Sequence, residues 1–173
     1  MNILLTGGAA CGKSSYAEML AMRFDEPRYY IATMRPFGEE SVIKINRHRR
    51  LREGKGFRLV EQYTDIGGVV MPNRGTAVLE CLCNLTANEM FDENGNSRDP
   101  FDDILLGVLA LSEKCSNLIV VTNDVGSGGY DYDKGSRQYI EVLGRLNAAV
   151  ASRFDCVYEL VCGIPVAIKG EIR

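Results

Sequence analysis

Several features that define large classes of proteins are scarce or missing in this chain of 173 residues. It has no tryptophan and a single histidine, and its six cysteines include no C-x-x-C pair. Because a structural zinc site needs several clustered histidine or cysteine ligands, this composition argues against one. Most cysteines lie in or beside apolar runs and are expected to be free thiols, which favours a reducing, cytoplasmic compartment.

Charge and hydropathy argue against a nucleic-acid-binding, membrane or secreted protein. The formal net charge is −3 at pH 7, so general affinity for nucleic acid or an anionic membrane is not expected. No segment approaches the roughly 20 apolar residues that a membrane-spanning helix needs. The start of the chain lacks a basic region, so a signal peptide is not expected. The length and the 46% of hydrophobic residues favour one domain, residues 1–173, with a sizeable core.

What is present is an alternation of apolar runs and amphipathic segments. The pattern predicts strands at Ile3–Thr6, Arg28–Thr33, Phe57–Glu61, Gly75–Cys83, Asn117–Thr122, Asp155–Cys162 and Pro165–Lys169. It predicts helices at Ser14–Phe24, Glu39–Leu51, Pro100–Lys114 and Gly135–Phe154, with loop-like segments at Met90–Pro100 and Asn123–Gly135. Apolar strands separated by helices indicate a three-layer α/β fold with a mainly parallel sheet, and the last two strands indicate an antiparallel edge hairpin.

The segment Gly7-Gly8-Ala9-Ala10-Cys11-Gly12-Lys13-Ser14 matches the phosphate-binding pattern G-x-x-x-x-G-K-[ST]. It follows a predicted strand and opens a predicted helix, a context in which backbone N–H groups and a lysine ammonium converge on polyphosphate. Lys13 is expected to act on the β- and γ-phosphates of ATP or GTP, and Ser14 to ligate Mg²⁺. The motif therefore predicts a P-loop NTPase (RecA-like) fold.

An acid at the end of a neighbouring apolar strand is the next component that a phosphate-loop enzyme needs. Glu80, inside Ala77-Val78-Leu79-Glu80-Cys81, is one candidate, because an acid in so apolar a strand is costly unless it is paired. Asp124, after Val120-Val121-Thr122-Asn123, is the other, although Asn-Asp-Val-Gly also forms an ordinary turn. The guanine-reading pattern N-K-x-D of regulatory GTPases is absent.

His48, the only histidine, lies in the basic segment Arg47-His48-Arg49-Arg50-Leu51-Arg52. A histidine in a basic helix is most often a solvated surface residue. The alternative is a nucleophile, because neutral imidazole attacks phosphorus and the surrounding arginines stabilise a triphosphate under attack. The same arginines are expected to lower the pKa of His48 and keep a ring nitrogen free.

The combination resembles the bifunctional adenosylcobinamide kinase / adenosylcobinamide-phosphate guanylyltransferase family of cobalamin synthesis. Eight segments carry the resemblance in chain order: Ile3–Ser14, Tyr30–Thr33, Arg47–Arg49, Phe57–Glu61, Val78–Leu82, Val121–Gly126, Gly144–Asn147 and Gly163–Lys169. The resemblance implies that the protein phosphorylates adenosylcobinamide with ATP or GTP. It further implies that His48 takes GMP from GTP as a covalent intermediate and passes it on, giving adenosylcobinamide-GDP.

The resemblance also implies a set of site residues and a homotrimer. His48 is the implied covalent catalytic residue, beside Lys13 as the catalytic residue and Ser14 and Glu80 as the metal ligands that the phosphate loop itself predicts. The implied nucleotide contacts are Gly7, Gly8, Ala9, Ala10, Cys11, Gly12, Lys13, Ser14, Thr33, Met34, Arg35, Arg49, Arg50, Arg52, Glu53, Glu61 and Glu80. The helix that carries His48 is expected to swing it across the nucleotide.

The chain departs from the family pattern at three places. The loop has Ala10-Cys11 where the family has Arg-Ser, and Glu53-Gly54-Lys55 replaces a proline that follows the arginine matching Arg52. Ser127–Asp133 replaces the usual Gly-Ile-Val-Pro, which puts the corrinoid acceptor or one of the two activities in question. Two alternatives therefore stay open: a phosphate-loop small-molecule kinase without guanylyltransferase activity, and a degenerate nucleotide-binding paralogue.

Overall fold

The computed structural model describes residues 1–92, 94, 96–126 and 131–172. Its strands are β1 (Asn2–Thr6), β2 (Arg28–Ala32), β3 (Phe57–Glu61), β4 (Thr76–Glu80), β5 (Asn117–Val121), β6 (Cys156–Val161) and β7 (Ile164–Lys169). Its α-helices are α1 (Lys13–Ala21), α2 (Gly38–Arg52), α3 (Leu82–Met90), α4 (Phe101–Lys114) and α5 (Lys134–Arg153), with a short 3₁₀ turn at Ile66–Gly68.

The strands form one sheet in the order β3-β2-β4-β5-β1-β6-β7. The first six strands run parallel, and β7 pairs antiparallel with β6. This arrangement confirms the predicted parallel sheet with a C-terminal antiparallel hairpin. The carboxyl ends of the parallel strands meet at one edge of the sheet, where open α/β sheets bind their ligands.

Two apolar layers cover the sheet, because successive strand residues point to opposite faces. Ile3 and Leu5 of β1 pack in a cluster with Ala17 and Leu20 of α1. Leu4, between them, belongs to a second cluster that α3, α4 and α5 supply. The three layers predicted from the sequence are therefore present in the described structure.

Residues that stabilise helix ends mark the termini of α4 and α5 in the sequence. Asp102 and Asp103 lie in the first turn of α4 and Lys114 in its last turn, which complements the helix dipole. At the start of α5, the Asp133 carboxylate accepts a hydrogen bond from the Ser136 backbone N–H at 3.0 Å. Both helices were predicted within a residue of their observed bounds.

The predicted strand Gly75–Cys83 is wrong at its carboxyl end. The strand stops at Glu80, and α3 begins at Leu82. Leu82 and Cys83 continue the apolar run of the strand, and Cys81, at the helix N-cap, makes no side-chain capping bond. The start of α3 therefore has no local signal, and burial of Leu82 and Leu85 against the sheet stabilises it.

The six cysteines are free, and Cys81, Cys83, Cys115 and Cys156 are buried, while Cys11 is partly buried and Cys162 is exposed. Within the described residues, no helix combines the length and the apolar character needed to cross a membrane. Of the family departure at Ser127–Asp133, residues 127–130 lie outside the described residues.

Candidate functional site

The phosphate loop joins β1 to α1 through a backbone that needs glycine at two positions. Gly7 has a φ of 134°, and a Cβ there would stand 2.6 Å from the Leu160 carbonyl oxygen. Gly12, at the helix N-cap, has a φ of 98°. Residues with a side chain rarely adopt such φ values, so these glycines let the backbone turn sharply into the helix N-terminus.

Lys13 is held inside this loop. Its ammonium donates to the carbonyl oxygens of Gly7 at 2.9 Å and Gly8 at 2.5 Å. The Cys11 Sγ lies 3.5 Å from the same nitrogen. Only 6% of the residue is exposed. A positive charge is therefore fixed where the loop N–H groups and the helix N-terminus also favour an anion.

Three side chains from distant parts of the sequence form a continuous contact beside the loop. The Ser14 hydroxyl donates to Glu80 Oε1 at 2.5 Å. The other Glu80 oxygen, Oε2, lies 3.0 Å from Nδ1 of His48. Helix α1 supplies the serine, the end of β4 the glutamate and α2 the histidine. The lone histidine is thus linked to the phosphate loop through one carboxyl group.

Burial shifts the pKa values of both groups at the centre of this contact. It raises the pKa of Glu80 to about 7; the Glu18 charge adds to the shift, and the Ser14 hydrogen bond opposes it. Burial also lowers the pKa of His48, and Arg52 and Arg47 lower it further against an opposing effect of Glu18. Since both shifts disfavour the charged forms, we interpret the contact as a hydrogen bond to neutral imidazole rather than an ion pair.

A cavity of about 440 Å³, here called the loop cavity, lies between the phosphate loop and α2. Of the residues predicted from the sequence, its lining includes Ala9, Ala10, Cys11, Gly12, Lys13, Ser14, Met34, His48, Arg52 and Glu80. The Arg52 guanidinium carbon lies 3.6 Å from the centre of the Tyr30 ring, a cation–π contact on the cavity wall. The structure therefore brings most of the predicted catalytic, metal and phosphate-loop residues into one space.

The other predicted residues lie outside that lining. Gly7 and Gly8 supply carbonyls behind the loop, and Thr33 is buried beneath the end of β4. Arg35 lines a second cavity of about 370 Å³. Arg49 forms an ion pair with Glu61 at 3.1 Å, and Arg50 and Glu53 are exposed. A nucleotide role for these residues stays a prediction.

Sequence reasoning missed several residues of the loop cavity. Glu18, Tyr30, Asn84 and Asn123 all line it, and so does Arg47, which was expected beside His48 but was not given as a nucleotide contact. Glu18 follows Ser14 by one helical turn, and that spacing places both on one face of α1, a signal that was available in the sequence. Asn84 lies on α3, the helix that the sequence did not reveal. Asp124, the second candidate acid, is not among the described lining residues, and its backbone N–H donates to Gly7 O at 3.3 Å.

Thr33 holds the peptide group that follows Glu80. Its Oγ1 accepts from the Cys81 N–H at 2.6 Å and lies 2.9 Å from the carbonyl oxygens of both Glu80 and Cys81. Replacing Thr33 by valine leaves the buried Cys81 N–H unpaired, so we expect a loss of about 1–3 kcal/mol in unfolding free energy, measured by urea denaturation.

Thr86→Val is the matched control for that prediction. Thr86 is equally buried, but its hydroxyl donates to the Leu82 carbonyl, which already accepts a helical hydrogen bond. We expect this variant to lose under about 1 kcal/mol. Equal losses in the two variants would show that Thr33 has no special role in holding the end of β4.

Comparison with known proteins agrees with the resemblance found in the sequence. The family model for cobinamide kinase / cobinamide phosphate guanyltransferase matches residues 3–168. The chain belongs to this family. The bifunctional adenosylcobalamin biosynthesis protein CobU of Escherichia coli (strain K12) is 30% identical over 185 aligned positions, covering 98% of this chain and 100% of that protein. The protein CobP of Pseudomonas aeruginosa, named likewise, is 29% identical over 174 positions, covering 99% of each chain.

Solved structures outside this family share the fold at low identity. The flagellar accessory protein FlaH from Methanocaldococcus jannaschii is 14% identical, with a TM-score of 0.52 over 98% of this chain and 78% of that one. An ATPase from the type III secretion system of pathogenic bacteria is 13% identical, with a TM-score of 0.51 over 92% of this chain and 51% of that one. These structural similarities confirm that this chain has the predicted P-loop NTPase (RecA-like) fold.

Proposed function

We propose that this protein phosphorylates adenosylcobinamide and then transfers GMP to the product, both reactions using one P-loop domain. The observation that carries the proposal is the contact from Ser14 through Glu80 to His48. It supports a phosphate-loop kinase site and a histidine nucleophile that share a single cavity. Family membership and the names of the relatives supply the acceptor.

The first reaction is phosphoryl transfer from ATP or GTP. The acceptor hydroxyl oxygen bonds to the γ-phosphorus while the bond from that phosphorus to the bridging oxygen breaks. The nucleoside diphosphate leaves, and the hydroxyl proton passes to solvent. Lys13 and the N–H groups of the loop stabilise the charge on the phosphate oxygens, because they are already oriented before the reaction.

The residues at the loop fit a magnesium ion. Ser14 and Glu80 present a hydroxyl and a carboxyl oxygen side by side, and oxygen atoms are the ligands that Mg²⁺ prefers. Among the described residues there is no group of three or more His, Cys, Asp or Glu side chains that could hold a metal. Mg²⁺ commonly takes only one or two protein ligands together with water and phosphate oxygens. When bound, the ion would neutralise charge on the triphosphate.

The second reaction begins at His48. Because Nδ1 faces Glu80, the other ring nitrogen, Nε2, is the nucleophile in our proposal. It bonds to the α-phosphorus of GTP while the bond to the pyrophosphate oxygen breaks, and Glu80 accepts the Nδ1 hydrogen bond throughout. Arg52 and Lys13 stabilise the developing negative charge. A phosphate oxygen of the phosphorylated corrinoid then displaces the imidazole from the α-phosphorus, which gives adenosylcobinamide-GDP.

The quaternary structure and the compartment belong to the same proposal. We expect a homotrimer in the cytoplasm. Ile164, Val166 and Ile168 of β7, the last strand in the sheet order, are between 47% and 65% exposed, which supports contact with another subunit. The free cysteines support a reducing compartment.

The test is to incubate purified protein and Mg²⁺ with GTP radiolabelled at the α-phosphorus, then denature it. We expect retained label that is labile in acid and stable in alkali, as a phosphoramidate is, and that disappears when phosphorylated corrinoid is added. GTP labelled at the γ-phosphorus should label adenosylcobinamide and leave none on the protein. Kinase product without retained α-label would favour a kinase alone, and nucleotide binding without either reaction would favour a degenerate paralogue.

A further inference from the structure

Helix α2 carries the proposed nucleophile, and most of its described side chains are exposed. None of its side chains that the structure describes is buried. Apolar burial of these described side chains therefore contributes little to holding the helix in place. Contacts near the carboxyl end of the helix, which include the packing of Arg52 on Tyr30 and two ion pairs, therefore help to fix the position of His48.

The pair Glu18–Lys55 is the more enclosed of the two ion pairs at this end of the helix. The Lys55 ammonium lies 2.6 Å from Glu18 Oε2, and the exposed fractions of the two side chains are 32% and 2%. The Arg49–Glu61 pair, by comparison, is about half exposed on both sides. A salt bridge with one fully buried partner is costly to break, because it leaves that charge uncompensated.

The turn after α2 is shaped to present Lys55 to Glu18. Gly54 and Gly56 on either side have φ values of 77° and 73°. The Lys55 N–H donates to the Arg52 carbonyl at 3.1 Å, which closes the turn directly on the end of the helix. Lys55 also belongs to Glu53-Gly54-Lys55, one of the segments that the sequence analysis set apart from the family pattern.

Glu18 in turn lies in the wall of the loop cavity together with His48, Arg52 and Glu80. It is close enough to oppose the lowering of the His48 and Arg52 pKa values. The Glu18–Lys55 contact therefore ties the carboxyl end of α2 to α1, the helix that also carries Lys13 and Ser14. We propose that Glu18 and Lys55 are a positioning pair that holds His48 over the phosphate loop.

The first experiment needs no assumption about catalysis, because His48 is the only histidine in the sequence. Diethyl pyrocarbonate acylates neutral imidazole, so its rate of histidine modification in nucleotide-free protein reports the accessibility of His48 alone. The reaction is run at mildly alkaline pH, so that the imidazole is neutral in every variant. We expect Lys55→Met to accelerate modification by about tenfold and Lys55→Arg to stay within about twofold of the wild type.

Lys114→Met is the matched control. The Lys114 ammonium also joins two elements, although through the Gly67 and Val69 carbonyls rather than a carboxylate, and it lies on α4 on the opposite side of the sheet. We expect it to leave the modification rate unchanged. Wild-type reactivity in Lys55→Met, or equal acceleration in Lys114→Met, would overturn the proposal. In Glu18→Gln/Lys55→Met we expect an effect smaller than the product of the two single effects, since both remove one contact.

The second experiment rests on the proposed function and separates positioning from general stability. Lys55 is not among the described residues that line the loop cavity. Lys55→Met should lower the rate at which the protein takes up α-label by about tenfold and keep the rate of corrinoid phosphorylation within about twofold of the wild type. Lys55→Arg should restore the rate of labelling. An equal loss of both reactions would mark the pair as merely structural. If wild-type protein retains no label, the proposed function fails, while the modification rates still decide the role of the pair.

Discussion

Replacement of His48 by alanine is expected to abolish retention of label from GTP labelled at the α-phosphorus. The imidazole is the nucleophile in our proposal, and the sequence has no second histidine that could replace it. Its contact with Glu80 leaves one ring nitrogen free, and burial, followed by Arg52, lowers its pKa and keeps it neutral near neutral pH. No phosphoramidate at histidine can therefore form in the variant.

Phosphorylation of adenosylcobinamide by the same variant is the internal control. That reaction depends on the phosphate loop, so His48→Ala should retain it to within about threefold, provided that the cavity keeps its shape. Thermal unfolding of the variant checks the fold. Acid-labile label that persists in His48→Ala would contradict the assignment of the nucleophile, whatever the kinase rate.

Replacement of Lys13 by methionine is expected to lower corrinoid phosphorylation by about 10²–10³-fold, the cost of removing one preorganised charge from the transition state. The methionine keeps most of the side-chain length, while the ammonium that donates to the Gly7 and Gly8 carbonyls is lost. Label retention from GTP should fall as well, because the same loop is proposed to hold the triphosphate in both reactions.

The measurements that check this prediction are the kinase rate at saturating nucleotide and the nucleotide dissociation constant. A loss confined to the rate would show that Lys13 stabilises the transition state more than the bound nucleotide. A loss confined to binding would show that Lys13 stabilises the triphosphate equally in both states. Lys114→Met is again the control for removal of a lysine that donates to backbone carbonyls. Unchanged turnover in Lys13→Met would show that the phosphate loop is wrongly assigned.

The phosphate loop and the sheet were predictable because their signals are local. The pattern from Gly7 to Ser14 specifies the strand, the turn and the helix that surround it within one short stretch of chain. The apolar runs likewise predicted the strands, and all but β4 lie within one residue of their predicted bounds. Glu80 was recognisable for the same reason, because an acid in an apolar run is unusual in itself.

Helix α3 and the wall of the cavity were not predictable in this way. The apolar pattern at Cys81–Cys83 is the same for a buried strand and for a buried helix start, and the choice depends on what packs against it. Asn84 could not be placed in the cavity while its helix was unknown. The spacing from Ser14 could have placed Glu18 on the cavity side of its helix, but only the structure showed its side chain buried against Lys55.

The sequence by itself determined the phosphate loop, the three-layer fold and the family, since each depends on residue types at short spacings or in chain order. Only the tertiary structure decided that Glu80 contacts both Ser14 and His48, and that Lys55 contacts Glu18. These contacts join residues 32 to 66 positions apart along the chain. The parallel order of the strands creates them by gathering the carboxyl ends at one edge of the sheet, and short-range patterns carry no information about such pairings.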